Sequence, residues 1–277
     1  MDQGNFEFLK KFLKGRSGLV LSPDKAYLVE TRLLPVARRN GFATIEDLIS
    51  KLRSSNGKDF AVEITEAMTT NESLFFRDET PFTIFSDKIL PELMRRRSDR
   101  KNFRIWCAAC STGQEPYSLS MLIADRKKDL AGWKHEILAT DISHDILARA
   151  RKGRFTQLET QRGLPIKRLI DHFVQDGEYW NLNKDIVDMV RFEYFNLLDS
   201  VSTLGKFDVV FCRNVLIYFD IETKSRVLDN INSILAPDGV IFLGGSESTM
   251  GINEKFVPIP GIRGIYRKSD CASSVGG

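Results

Sequence analysis

From residue 103 onward this 277-residue chain alternates short apolar runs with amphipathic stretches, and that rhythm admits few folds. "FRIWCAA", "HEILATDI", "FDVVFCRN" and "GVIFLGGSE" read as strands too continuously apolar to show one face to water. "EPYSLSMLIADRKKDL", "SHDILARARKG" (opened by Ser143) and "IETKSRVLDNINSIL" read as helices between them, and "GIRGIYRK" as a last strand. Such alternation implies an α/β domain with a mainly parallel sheet covered by helices on both faces. Between Arg154 and Phe195 the rhythm breaks. "EYWNLNKDIVDMVRFEYF" predicts short antiparallel strands, which makes about 154–195 a small β insertion.

The chain before this point has no strand signal. Phe6, Leu9, Phe12 and Leu13 recur at helical spacing. "SPDKAYLVETRLLPVARRNG" offers Ser22 as a cap, Pro23 at the first helical position and Gly41 as a stop. "TIEDLISKLRS" pairs Thr44 with Asp47 in a near capping box, and "DFAVEITEAMTT" gives a further helix. The expected organisation is an all-helical domain over 1–70, a linker and lid over 71–102, the α/β domain over 103–268, and a flexible tail over 269–277.

Composition removes several function classes. The net charge of +3 is too small and too interspersed to imply nucleic acid. Arg95, Arg96 and Arg97, with Arg100 and Lys101 behind them, read as a solvated helix end. No apolar run approaches the roughly 18–20 residues of a membrane span, and the start carries charges where a signal peptide is apolar. Four Cys in this length make no disulfide framework, so a reducing cytoplasm is expected. Three scattered His (His135, His144, His172) and no second Cys pair leave no metal site in view.

"IWCAACSTGQEPYSL" (105–119) admits two readings. Trp-Cys-x-x-Cys suggests a thiol redox centre, but that chemistry needs the pair at a helix start, where the dipole lowers a thiol pKa. Here Cys107 falls in or at the end of a strand, and the helix begins beyond Gly113, near Glu115 and Pro116. The other reading is a cofactor loop. Ala108-x-Cys110-x-x-Gly113 has the Gly-x-Gly-x-x-Gly spacing with small residues where backbone must approach a ligand. The next strand ends in Asp141, the acid that nucleoside sites use for ribose hydroxyls, although the interval exceeds the usual roughly 20 residues. Cys110, Asp141, Arg213 and Asn214 all fall at carboxyl ends of strands, where open α/β sheets bind ligands.

Five motifs then appear in order: "TTNESLFFRD" (69–78), "WCAACSTGQEPYSL" (106–119), "ATDIS" (139–143), "FNLLD" (195–199) and "FDVVFCRNVLIYFD" (207–220). Together they resemble the successive motifs of the chemotaxis receptor glutamate methyltransferases, CheR-type, over nearly the whole chain. The resemblance implies a class I methyltransferase fold, Rossmann-like, with S-adenosylmethionine as donor and S-adenosylhomocysteine as product. It implies glutamate carboxylates on the cytoplasmic helices of chemoreceptors as acceptors, and no metal. Asn71, Ser73 and Arg77 would lie against the cofactor, with Ser73 where the family often has Thr. Ala108, Ser111, Gly113 and Glu115 would form the methionine end, with Gln114 where the family commonly has Glu. Asp141 would hold the ribose, and Asn196 and Leu197 would frame the adenine. Arg213 and Asn214 would line the site, and Tyr218 would project beside the methyl group.

The chemistry agrees with what the sequence lacks. A glutamate side chain, with a pKa near 4.3, is already an anion at neutral pH and needs no general base. Positioning and desolvation then suffice, worth perhaps 7–11 kcal/mol. No Ser-His-Asp set is present, and "RNVLIYF" stands where amine methyltransferases carry an Asn-Pro-Pro-Tyr-type motif. Arg77, with its planar fork, is the candidate to orient the acceptor carboxylate.

Lys25, Arg32, Arg38 and Arg39, against Asp24 and Glu30, would give a basic helix facing an acidic receptor helix. The insertion is where some family members add a receptor C-terminal tether peptide to a sheet edge. A monomer is expected. Three other readings remain open at this stage: a cofactor-binding regulator without transferase activity, an enzyme with another carboxylate acceptor, and the thiol oxidoreductase.

Overall fold

The computed structural model describes residues 1–54 and 58–271. They form two compact units: Met1–Thr70 with Tyr218–Thr223, and Asn71–Ile217 with the chain from Lys224 on. Among the described residues no helix is long and apolar enough to cross a membrane.

The first unit is helical. Helix α1 (Gln3–Ser17) starts where the Asp2 carboxylate accepts the Asn5 N–H at 2.8 Å, and it ends at left-handed Gly18. A Cβ at Gly18 would stand 3.0 Å from the Phe219 ring, so that close approach needs glycine. A 3-10 turn, Pro23–Lys25, precedes α2 (Ala26–Arg39). Ser22 stands at the start of this turn as expected, but its side chain makes no cap; it bonds the Asp24 carboxylate and lowers that group's pKa. Thr44 and Asp47 close a full capping box on α3 (Ile45–Arg53), and α4 (Lys58–Met68) follows. Leu9, Leu13, Val29, Leu33, Leu48, Ile49 and Ile64 are fully buried, as their helical spacing dictates.

Two features of this unit were not legible in the sequence. The Arg32 guanidinium donates to the Met68 and Thr69 carbonyls, at 2.7 and 3.0 Å, and to the Thr70 hydroxyl. It is therefore tied up on the unsatisfied carboxyl end of α4 and is not part of an open basic face. Residues 218–223 come from far along the chain: the Val20 N–H donates to the Tyr218 carbonyl at 2.9 Å, and Lys14 pairs with Asp220.

The second unit opens with α5 (Thr80–Ile84), a π-helical turn at Phe85–Ile89 and α6 (Leu90–Arg96). Then come β1 (Asn102–Ala108), α7 (Gln114–Asp125), β2 (Lys134–Asp141) and α8 (His144–Ala150), the last capped by the Ser143 hydroxyl. The insertion carries β3 (Arg154–Thr156), α9 (Gln157–Gln161), α10 (Ile166–His172), β4 (Phe173–Asp176), β5 (Tyr179–Leu182) and α11 (Lys184–Val187). It is followed by β6 (Val190–Tyr194), β7 (Phe207–Cys212), α12 (Ile221–Ile234), β8 (Leu235–Leu243), β9 (Phe256–Pro258) and β10 (Ile265–Lys268).

The main sheet has the order β6-β2-β1-β7-β8-β10-β9, and β3-β5-β4 form a separate antiparallel sheet. The first five are mutually parallel; β10 runs antiparallel to both β8 and β9. The strand order reverses between β1 and β7, which is the switch point where such sheets bind ligands. The expected insertion of 154–195 is cut short: Val190–Tyr194 pairs with β2 in parallel and is the edge strand of the main sheet. Its alternating pattern misled because an edge strand is buried less evenly than a central one. Strand β9 was missed, being three residues long and interrupted by a proline. Ser269–Cys271 form a 3-10 turn, and the remainder of the expected tail lies outside the described residues.

The arginine cluster needs a correction. Arg95 and Arg96 are solvated and pair with Glu92. Arg97 is not: its side chain is 11% exposed and bonds Asp238 at 2.8 Å and Asp208 at 2.9 Å. Asp208 also accepts Arg100 and the Arg104 backbone N–H, so α6 is bolted to the starts of β1, β7 and β8. The Arg97 guanidinium holds the Asp238 carboxyl below its ordinary value of 3.8. A depressed carboxylate contributes stability that is complete above its unfolded pKa and is lost as pH falls through the folded one. Arg97→Ala should cost about 3 kcal/mol near neutrality. Below about pH 4 its urea midpoint should fall less steeply than that of the wild type.

Candidate active site

The parallel strands end on one rim, and every candidate residue of the second unit lies there or on the segment that opens that unit. The turn between β1 and α7 is shaped by alternate left-handed residues: Ala109 at φ 57°, Ser111 at φ 51° and Gly113 at φ 93°. Side-chain-bearing residues hold this conformation at a cost of order 1 kcal/mol or more each, and such strain gathers at ligand sites. At Gly113 a Cβ would lie 3.0 Å from the Tyr117 ring and 3.3 Å from both Ala150 and Phe192, so only glycine opens α7 here. Ala108 ends β1 and is buried, which keeps bulk away from the turn.

Asp141 pins this turn. It is 5% exposed at the end of β2; one oxygen accepts the Ser111 N–H at 2.9 Å and the other the Ser143 N–H at 3.0 Å. The Ser111 hydroxyl donates to the Asn71 carbonyl at 2.8 Å, which ties the first motif to the second. Ser73 lies two residues on, half-buried. After β6, the Asn196 Oδ1 accepts the Leu198 N–H, and Leu197 is buried at 8% exposure.

The charged heart of the rim is Arg213, directly after β7. Its side chain is 1% exposed; it donates to Glu115 at 3.1 Å, to the Arg77 carbonyl at 2.9 Å and to Asp78 at 2.7 Å. Its Nε is buried without a hydrogen-bond partner. Arg213 is thus a buried strut more than a wall of the site. It holds the turn Phe76–Glu79, where Phe76, Asp78 and Glu79 are left-handed at φ 48°, 67° and 46°. Arg77 sits inside that turn, half-buried, with a single 3.3 Å bond to the Glu72 carbonyl. Burial raises the Glu115 pKa, while Arg213 and Arg77 act in the opposite direction.

Asn214 is left-handed at φ 58° and begins a loop whose amides turn toward Glu247. Sequence reading passed over Glu247, visible only as the last letter of "GGSE". Tyr218 ends the 3-10 turn Leu216–Tyr218, is half-buried, and belongs to the other compact unit. Among the described residues no group of His, Cys, Asp and Glu could hold a metal ion.

The thiol reading fails on geometry. Cys107 lies inside β1 and Cys110 in the turn; both are free and buried, and burial pushes both thiols well above their ordinary value. A redox or nucleophilic thiol needs the reverse.

The topology and the switch-point rim define an S-adenosylmethionine-binding methyltransferase of the Rossmann-like class. Residues 71–265 match the "CheR methyltransferase, SAM binding domain" and residues 4–69 the "CheR methyltransferase, all-alpha domain". The chain belongs to the CheR methyltransferase family. Similar relatives include Chemotaxis protein methyltransferase Cher2 of Pseudomonas putida, 38% identical over 96% of this chain and 99% of the relative. Chemotaxis protein methyltransferase 1 of Pseudomonas aeruginosa is 40% identical over 95% and 97%, and the Chemotaxis protein methyltransferase of Vibrio parahaemolyticus 41% over 93% and 94%.

Replacing both Cys107 and Cys110 by Ala should leave methyl transfer within about threefold of wild type. In the native wild type Cys107 and Cys110 should resist a maleimide, read at those two residues by mass spectrometry, until the protein is unfolded.

Proposed function

We propose that this protein methylates glutamate side-chain carboxylates of chemoreceptors with S-adenosylmethionine, producing glutamyl methyl esters in chemotaxis-type adaptation. One observation carries this reading: a half-buried arginine, Arg77, is held on a strained turn at the rim, where its charge acts on the partly buried Glu115.

The residues fit the donor. A cationic donor favours carboxylates, and the rim offers Glu115 at the start of α7 and Asp141 at the end of β2. The left-handed turn with Gly113 supplies the close backbone approach that a nucleoside needs. We assign Asp141 to the ribose, Ala108, Ser111, Gly113 and Glu115 to the methionine end, and Asn196 and Leu197 to the adenine. Asn71, Ser73 and Asn214 complete the surround. When bound, S-adenosylmethionine supplies a methyl group on a positively charged sulfur that leaves as neutral S-adenosylhomocysteine.

The chain's own residues have few tasks. The acceptor carboxylate arrives deprotonated, so no side chain has to remove a proton. Arg77 presents a planar pair of N–H donors that fits two carboxylate oxygens and fixes the attacking lone pair. Tyr218, carried on the loop that begins at Arg213, is the second group we assign to the transfer step. The turn around Arg77 is preset by Arg213, so little reorganisation is needed when the acceptor docks.

For the partner we assign an acidic, glutamate-bearing receptor helix docking on α2. Arg39 already pairs with Glu63 at 2.7 Å and Arg32 caps α4, so Arg38, with Lys25 in the turn before the helix, is the cation most open to steering. The edge strand β4, with Val174 63% exposed, supports strand addition by a receptor C-terminal peptide. The free cysteines accord with the cytoplasm as the compartment.

Arg77→Ala and Tyr218→Phe should keep S-adenosylhomocysteine affinity within a few-fold by calorimetry while lowering methyl incorporation into receptor by roughly 100-fold. Undiminished turnover in both would defeat these roles, and label found outside glutamyl esters would defeat the acceptor. Arg38→Glu should slow receptor association about threefold at low ionic strength, with the difference vanishing in high salt. Stopped-flow binding reads this directly.

A further inference from the structure

The chain leaves β7 with several backbone amides turned inward, and one buried side chain receives them. Glu247 stands three residues beyond Gly244, past the carboxyl end of β8, and is 8% exposed. Its Oε2 accepts the Asn214 N–H at 2.8 Å and the Gly244 N–H at 2.6 Å. Its Oε1 accepts the Val215 N–H at 3.0 Å and the Ile217 N–H at 3.3 Å. The Glu247 N–H returns to the Gly244 carbonyl at 2.9 Å and closes the turn. Four donors from two separate loops converge on one carboxylate, which fills its acceptor positions.

The arrangement dictates its neighbours. Gly244 has to be glycine: a Cβ there would lie 2.7 Å from the Glu247 Oε2, 2.8 Å from the Asn214 Nδ2 and 3.0 Å from the Asn214 nitrogen. Asn214 takes the left-handed conformation, φ 58°, that aims its N–H at the acid, and asparagine tolerates this better than most residues. A loop packed only for stability would satisfy these amides with carbonyls or solvent. A buried carboxylate costs desolvation and is held in place by all four donors. What it fixes is the course of residues 213–217, which begins with Arg213 and Asn214.

We propose that Glu247 is a positioning residue for methyl transfer: gathering the amides of Asn214, Val215, Ile217 and Gly244, it sets where Asn214 and the loop that follows Arg213 stand. The proposal rests on the methyltransferase reading above and deepens it. Glu247 itself touches neither donor nor acceptor in this account. A displacement near 1 Å in a supporting loop is enough to lose about 100-fold in rate.

Glu247→Gln is the direct test, because the amide keeps the shape but turns an NH2 group toward backbone N–H donors. At a temperature where circular dichroism shows the variant fully folded, kcat for receptor methylation should fall about 100-fold, with the receptor KM within about threefold. S-adenosylhomocysteine affinity by calorimetry should fall about tenfold through Asn214. The downfield amide proton resonances of Asn214 and Val215 should move upfield in the same variant. A loss of kcat or affinity in the folded protein supports the proposal. If both are unchanged, or track only the unfolded fraction, it is overturned.

Should Glu247→Gln fail to fold, Gly244→Ala displaces the same carboxylate from outside and should give the same pattern at about tenfold. An unchanged kcat and affinity there would overturn the proposal equally. The binding arm uses the donor's product alone. A wild type that bound S-adenosylhomocysteine but methylated no receptor glutamate would sink the acceptor assignment and leave the Glu247 test intact.

Discussion

A single buried guanidinium organises this rim. Arg213 comes off the end of a central strand with almost no solvent contact, and it reaches an acid at the start of α7 and two successive residues of a turn far upstream. Removing a charge from water costs several kcal/mol unless partners replace the hydration. Here they do so by joining three segments of the chain. The left-handed residues around Arg77 persist because the surrounding contacts over-determine them.

The same logic recurs around the rim in two acids. Asp141 and Glu247 each turn both oxygens to backbone N–H groups of loops. Backbone donors are fixed once the sheet is formed, so these carboxylates convert the regularity of the strands into fixed loop geometry. That suits the reaction proposed above, in which the acceptor would be a carboxylate that needs no activation. For such a nucleophile rate would depend on placement, and a site of preset loops is a direct solution.

Much of this could be read from the letters. Continuous apolar runs bounded by turn residues revealed the parallel strands, and Asp141 and Gly113 were visible because a strand-end acid and a helix-opening glycine have definite physical uses. The motifs around Arg77 and Arg213 were legible through their resemblance to a family. Other features were hidden for physical reasons. Val190–Tyr194 alternates as a strand of the small sheet would, yet it edges the large one, since pairing partners lie outside any local pattern. Arg97 and Arg32 looked like surface charge, because the carboxylate or helix end that consumes an arginine can lie over a hundred residues away or on another helix. Glu247 gave almost no signal: four amides converging on one acid leave no spacing rule behind.

The closing of the helical unit by residues 218–223 has a consequence for biosynthesis. Met1–Thr70 emerges first, yet the strip that lies against Gly18 and pairs with Lys14 is translated only after most of the sheet. At ordinary elongation rates that interval is about 10–30 seconds. Until then the nascent helices lack the Val20–Tyr218 and Lys14–Asp220 contacts, so a segment translated early is completed late.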